Sequence, residues 1–234
     1  MKRSKVRGPA DAHATTSRLL DTAERLFGKH GYDGIGMRAL ALKARVNLGA
    51  ATYHYGSKKA LYIEAFMRRF RPSNAEQLRL LRQAQAHGRA LSVDEVVDCM
   101  ARPAYAMGVA HPSFSALLAR NLIAPPVFMH AALQREVGVT VQEYVGALHR
   151  CLPGVPEEPL RARVMFAMGS VMMFCANIAR LPPMRRRVPL EPVFQELARF
   201  VVAGLQAPPA GTAVPRVDAV ARRRAAALSS APLP

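Results

Sequence analysis

Acidic residues are the scarce class in this chain. Sixteen Asp and Glu stand against 33 Lys and Arg among 234 residues, a formal net charge of +17 at pH 7. That imbalance points to a polyanionic partner, either nucleic acid or an anionic membrane surface. Cysteine is sparse too. Cys99, Cys151 and Cys175 are odd in number and far apart, which argues against a disulfide framework and suits reduced core thiols in a cytosol. The opening residues, MKRSKVRGPADAH, hold no apolar stretch of the kind a secretory signal needs, so a cytoplasmic protein is expected. Long apolar runs are also missing. The longest, VMFAMGSVMMFCANIA over residues 164–179, falls short of the roughly 20 residues of a bilayer span and carries Ser170 and Asn177. A buried or partner-facing helix suits it better than a membrane.

Signs of catalysis are lacking as well. The seven histidines are scattered without metal-ligand spacing, and neither a Gly-rich phosphate loop nor a Ser nucleophile elbow occurs. The chain therefore reads as a non-enzyme with no cofactor and no metal. Internal repeats are absent, and no alternating strand pattern of useful length appears, which leaves an all-α fold.

What is present begins with uneven charge. Residues 1–71 hold 15 Lys and Arg against 5 Asp and Glu, so the first third carries most of the positive field. Residues 1–12 form a basic arm without apolar periodicity, expected to be mobile, in which Lys2, Arg3, Lys5 and Arg7 are candidates to follow a minor groove. From Thr15, Leu19, Leu20, Ala23, Leu26 and Phe27 recur at helical spacing, with Thr15 or Thr16 as cap and Gly31 as stop. MRALALKA (residues 37–44) and VNLGAATYHY (46–55) then read as two short helices with almost no loop between them, and Asn47 is a good cap for the second. Two short helices so joined suggest a helix-turn-helix. A further helix follows Ser57, which Pro72 is expected to end or kink.

Residues 15–66, and above all LLDTAERLFGKHGYDGIGMRALALKARVNLGAATYHYGSKKALY, resemble the N-terminal DNA-binding domain of the TetR family of transcriptional repressors. The physical sense of the pattern stands without that name. Gly49, Ala50 and Ala51 keep the start of the second short helix slim enough to enter a major groove about 12 Å wide. The resemblance implies that Asn47, Leu48, Gly49, Thr52 and Tyr53 lie nearest base edges or the adjoining backbone. It implies phosphate contacts for His54 and Lys58, and contacts from Met37 and Arg38 at the start of the preceding helix. Tyr55 occupies a usually buried aromatic position and stays outside this set. Three departures stand out: Gly36 where the family commonly has Ser or Thr, Arg45 where its turn usually has Gly, and Thr52 where it often has Tyr.

The remaining helical segments resemble, in order and length, the effector and dimerisation domain of the same family. Its last two long helices, here residues 159–180 and 189–206, commonly pair with a second subunit. The first is apolar nearly all round, with Met165, Met168, Gly169, Met172 and Ala176 on one face. Methionine lines ordinary cores and adaptable pockets alike. Met100, Met107, Met129, Met165, Met168, Met172 and Met173 are candidates to surround a cavity for a fatty acid, acyl-CoA or other apolar compound. Arg102, Arg120, Asn121 or Asn177 would then meet a polar end.

The expected organisation is an arm over 1–12, a three-helix helix-turn-helix domain over 13–66, a helical ligand-binding and dimerisation domain over 67–206, and a disordered tail over 207–234. The expected protein is a homodimeric repressor of a palindromic DNA operator, released by a small lipophilic effector. A sequence-nonspecific nucleic-acid-binding protein and a peripheral membrane protein are the alternatives that charge leaves open.

Overall fold

A computed structural model describes residues 9–86, 88–178 and 189–208. Among these residues the fold is all-helical, with nine helices and no strand. The first is α1 (Pro9–His30), which starts six residues before Thr15. Proline suits a first helical position because its missing N–H would be unpaired there anyway, and the alanines that follow have high helix propensity. Residues 9–12 are therefore helical rather than part of an arm, and Thr15 and Thr16 lie inside the helix rather than capping it. The arm's remaining residues and almost all of the expected tail, 209–234, lie outside the described residues.

Leu19, Leu20, Ala23, Leu26 and Phe27 all turn inward, as their spacing requires. They meet Leu40, Ala41 and Ala44 of α2 (Met37–Ala44), Ala51 of α3 (Leu48–Tyr55), and Leu61, Tyr62 and Ala65 of α4 (Lys58–Gln85). The Ser57 hydroxyl accepts from the Ala60 amide at 3.1 Å and starts α4. Of the two outcomes expected at Pro72, an end or a kink, the helix does not end there. An interior proline costs about 3 kcal/mol, so contacts on its flanks must hold the helix together. Asn74 donates to the Glu136 carbonyl at 3.0 Å and accepts from the Thr140 hydroxyl at 2.9 Å, while Arg71 pairs with Glu136 at 2.8 Å.

Both partner residues on the far side belong to α7 (Val127–Cys151). Between α4 and α7 come α5 (Val93–Ala110), which also runs through its Pro103, and α6 (Pro112–Ile123). Ser92 and Glu95 form a reciprocal capping box at the start of α5. After α7 come α8 (Glu157–Asn177) and α9 (Leu190–Gln206). Leu160, Val164, Ala167, Val171 and Cys175 of α8 are buried against the helices around it.

Because α4 runs from the first bundle into the second, the two share a helix. They are also joined along α1 and α6. A side chain at Gly28 would place its Cβ 3.1 Å from both the Ala116 Cβ and the Leu117 nitrogen, so the two helices touch almost backbone to backbone. Buried Glu24 accepts from Arg68 at 2.6 Å, Arg69 at 3.2 Å and the Ser113 hydroxyl at 2.7 Å, tying α1, α4 and α6 at one carboxylate.

Candidate DNA-binding face and internal cavity

The turn between α2 and α3 is built on a strained residue. Arg45 has φ 55° and ψ 43°, and is the one non-glycine residue with positive φ among the described residues. Its amide donates to the Leu42 carbonyl at 3.1 Å and the Val46 amide donates to the Ala41 carbonyl at 2.9 Å, a Schellman closure that glycine would adopt without strain. Gly36 starts α2 with no side-chain cap.

Asn47 caps α3 by accepting from the Gly49 amide at 2.7 Å. A Cβ on residue 49 would sit 3.0 Å from that same Asn47 oxygen, so glycine keeps the cap intact as well as the helix slim. Ala51 faces the core, which turns Leu48, Gly49, Thr52, Tyr53 and His54 to the surface. Tyr53 is 87 % exposed, and its ring lies 5.6 Å from that of His54. Tyr55 is half-buried, with its hydroxyl unpartnered and held up at about 12 first by burial and then by the nearby Glu64 charge. Arg38 is exposed, whereas Met37 packs partly against the core. The Lys58 ammonium sits over the Tyr32 ring, 4.2 Å from its centroid.

The cations around this face differ from the six arginines between residues 68 and 89. Among the described residues, Lys29, Arg38, Lys43, Arg45, Lys58 and Lys59 enter no ion pair, whereas Arg68, Arg69, Arg71, Arg79, Arg82 and Arg89 all do. No acidic residue lies in α2 or α3. The helix-turn-helix thus presents cations with no carboxylate partner among the described residues.

A second feature of the larger bundle is a cavity of about 190 Å³ between α4, α6, α7 and α8, partly open to the surface beside the exposed Met165 and Leu122. Phe66, Phe70, Asn74 and Gln77 line it from α4, and Leu118, Asn121 and Leu122 from α6. Leu133 and Val137 come from α7, and Met165, Met168, Gly169 and Met172 from α8. A separate cleft at the junction of the bundles is lined by Tyr32, Tyr62 and Arg120 among others.

Sequence comparison matches residues 19–65 to the bacterial regulatory proteins of the tetR family, and residues 96–204 to a tetracyclin repressor-like C-terminal domain. The chain belongs to the TetR family. It is therefore a DNA-binding transcriptional regulator, and such regulators are not enzymes. No curated protein matches the sequence. Solved structures of the same fold include a TetR-like transcriptional regulator from Rhodococcus sp. RHA1, with 17% identity, TM-score 0.61, and coverage of 86% of this chain and 100% of that one. PfmR from Thermus thermophilus has 15% identity and TM-score 0.56, covering 88% and 100%. FadR from Bacillus halodurans, a fatty acid degradation regulator, has 15% identity and TM-score 0.52, covering 81% and 99%. Among the described residues of this TetR-family chain, no single helix is long and apolar enough to cross a membrane.

Of the residues the sequence offers for a cavity, the fold brings Asn121, Met165, Met168 and Met172 to one. Met100, Met107 and Met129 are buried core elsewhere, and Met173 lies on the surface. Asn177 donates to the Met173 carbonyl at 2.8 Å, one turn back on its own helix. Arg102 pairs with Asp98 at 2.9 Å and Glu191 at 3.2 Å, bracing α5 against α9. Arg120 donates to the Gly28 and Lys29 carbonyls, each at 2.7 Å, and so closes the end of α1. Phe66, Phe70, Gln77, Leu118, Leu122, Leu133 and Val137 line the cavity without having been singled out. No local signal marks them, since any of them fits an ordinary helix core.

Proposed function

We propose that this TetR-family regulator acts in the cytoplasm as a homodimeric repressor, binds a two-fold-related operator through α2 and α3, and is released by a small apolar effector held between α4, α6, α7 and α8. The observation that carries the reading is the cluster of unpaired cations around an exposed, slim α3. Phosphates would give those cations the anionic partners that no described residue supplies. Asn47, Leu48, Gly49, Thr52 and Tyr53 face the groove in this docking, with Arg38, His54 and Lys58 on the flanking backbone and Met37 contributing through its backbone at the start of α2.

Support for a dimer comes from an apolar face that no described residue of the subunit covers. Phe166 is 73% exposed on α8 and Phe200 is 67% exposed on α9, beside the exposed Met173. Two such faces would cover one another in a symmetric pair. Support for coupling comes from Asn121, which lines the cavity and donates to the Tyr62 hydroxyl at 3.0 Å. Tyr62 packs edge-on against Tyr32 with centroids 5.4 Å apart, and Tyr32 underlies Lys58.

Footprinting of the full chain on its own upstream DNA, with sedimentation of the complex, tests the proposal. An inverted repeat occupied by two chains is the expected result. Binding that unrelated duplex competes away equally would favour a nonspecific nucleic-acid binder instead.

A further inference from the structure

The cleft at the junction of the two bundles holds an arginine that is only half engaged. A guanidinium presents five N–H donors in a rigid plane. In Arg120, Nε and one hydrogen of Nη2 go to the Gly28 and Lys29 carbonyls, each at 2.7 Å. Both hydrogens of Nη1 and the second of Nη2 remain, and together they make the fork at the end of the group. Nη1 makes no hydrogen bond among the described residues and keeps contact with the cleft, unlike the buried, unpartnered Nε of Arg68. Gly31 leaves it that access, because a Cβ on this residue, which has φ 76°, would lie 3.3 Å from Nη1. Both acceptors are neutral carbonyls, so the Arg120 charge also lacks a carboxylate partner among the described residues.

The walls beside this fork offer apolar surface. Tyr32, Ala119, Ile123 and Pro126 line the cleft, whose volume of about 510 Å³ falls within the roughly 300–1,000 Å³ of small-molecule sites. A planar carboxylate matches the free fork with two parallel, charge-assisted hydrogen bonds, and an apolar body matches the walls. Two features oppose an anion, and both are weak. The negative end of α1 is already met by the other edge of Arg120, and Asp33, which also lines the cleft, is exposed where water and salt screen its charge. The Lys58 ammonium over the Tyr32 ring adds positive charge beside them. We propose that the cleft is a second small-molecule site, separate from the cavity between α4, α6, α7 and α8. It takes a carboxylic acid with a compact apolar body, the carboxylate on the free fork of Arg120 and the body against Tyr32 and Ile123. Because Tyr32 carries the Lys58 ammonium 4.2 Å from its ring centroid, an occupied cleft changes how Lys58 is held. That second step rests on the proposed contact of Lys58 with DNA phosphate.

The test titrates naphthoate and inorganic phosphate into the full chain at neutral pH, followed by calorimetry, with circular dichroism as the folding control. Saturable naphthoate binding is expected, at least tenfold tighter than phosphate, which fits the fork but has no apolar body. Ile123→Glu is the decisive variant. Ile123 is 71% exposed, so its replacement leaves the core intact while placing a carboxylate that competes for the fork. Naphthoate affinity is expected to fall at least tenfold in Ile123→Glu and to stay within threefold of wild type in Ile123→Gln, which matches it in size without the charge. Arg120→Lys, which keeps a cation but has no fork, is expected to bind at least fivefold more weakly. Naphthoate that does not bind, that binds no better than phosphate, or that binds folded Ile123→Glu or Arg120→Lys protein as tightly as wild type would each overturn the site. Operator affinity is measured with and without saturating naphthoate, and a change of at least twofold is expected, absent in Ile123→Glu. Naphthoate that binds with this pattern and leaves operator affinity unaltered would support the site and overturn its hold on Lys58.

Discussion

The Arg120 guanidinium donates from Nε to the Gly28 carbonyl at 2.7 Å, so a residue of α6 finishes the last turn of α1. Nη2 reaches the Lys29 carbonyl at the same distance. Carbonyls at a helix C-terminus lack intrahelical donors, and a cation there also suits the negative end of the helix dipole. Arg120→Ala is expected to lower unfolding free energy by about 1.5–3 kcal/mol, the range for hydrogen bonds to charged groups. Arg102→Ala, which removes exposed ion pairs between α5 and α9, is expected to cost under about 1 kcal/mol. Urea denaturation of both variants checks the contrast, and equal losses would mean that Arg120 is no special link between α6 and α1.

Arg45 gives a prediction of the opposite sign. A left-handed non-glycine residue is strained by roughly 1–2 kcal/mol, and glycine returns part of that through its own extra chain entropy. Arg45→Gly is therefore expected to stabilise the fold by about 0.5–1 kcal/mol while removing one cation from the DNA face. The same urea measurement shows the gain, and a salt titration on duplex DNA should show a shallower slope. Destabilisation would indicate that the Arg45 side chain supports the turn.

The helix-turn-helix was legible in the sequence because its determinants are local. Asn47 caps the helix it precedes, Ala51 faces the core one turn on, and Gly49 spares the cap, all within five residues. Whether α4 would end at Pro72 or continue through it was not legible, since the bonds that hold it come from Glu136 and Thr140, over sixty residues away. The same distance explains the cavity. Methionine content flagged Met165, Met168 and Met172, but the opposite wall of Phe66, Gln77 and Leu118 is placed by packing between helices. Arg102 and Arg120 looked like free cations for a ligand because their acceptors, Glu191 and the end of α1, lie far off in sequence.

The exposed face of α8 and α9 carries the third prediction. Phe166→Glu or Phe200→Glu would place a charge where a desolvated apolar contact with the second subunit is proposed, and a buried charge without a partner is strongly unfavourable. Both variants are expected to sediment as folded monomers and to lose operator affinity. Met172→Glu is expected to act differently, by blocking the cavity, because Met172 lines that space from within the subunit. Analytical ultracentrifugation separates the cases, and wild-type dimers from both Phe variants would mean that the subunits meet elsewhere.

The last prediction separates two residues of the DNA face. Lys58 lies just inside α4 with its ammonium over Tyr32, so it is held in place and ready for a phosphate. Lys58→Ala is expected to weaken operator and scrambled duplex alike, and to reduce the log-log salt slope by about one per lost contact in each half-site. Loss of the ring contact should lower stability by only about 0.5–1 kcal/mol. Tyr53 stands free on α3, and in the proposed docking its ring and hydroxyl reach a thymine methyl or a base edge. Tyr53→Ala is expected to cost roughly 1–3 kcal/mol per half-site on the operator and much less on scrambled DNA. Its exposure means that truncation leaves the core untouched, so circular dichroism should not change. Salt titrations of both duplexes with wild type and the two variants make the comparison. If folded Lys58→Ala protein keeps both affinities and the slope of wild type, α3 does not sit in the groove as proposed.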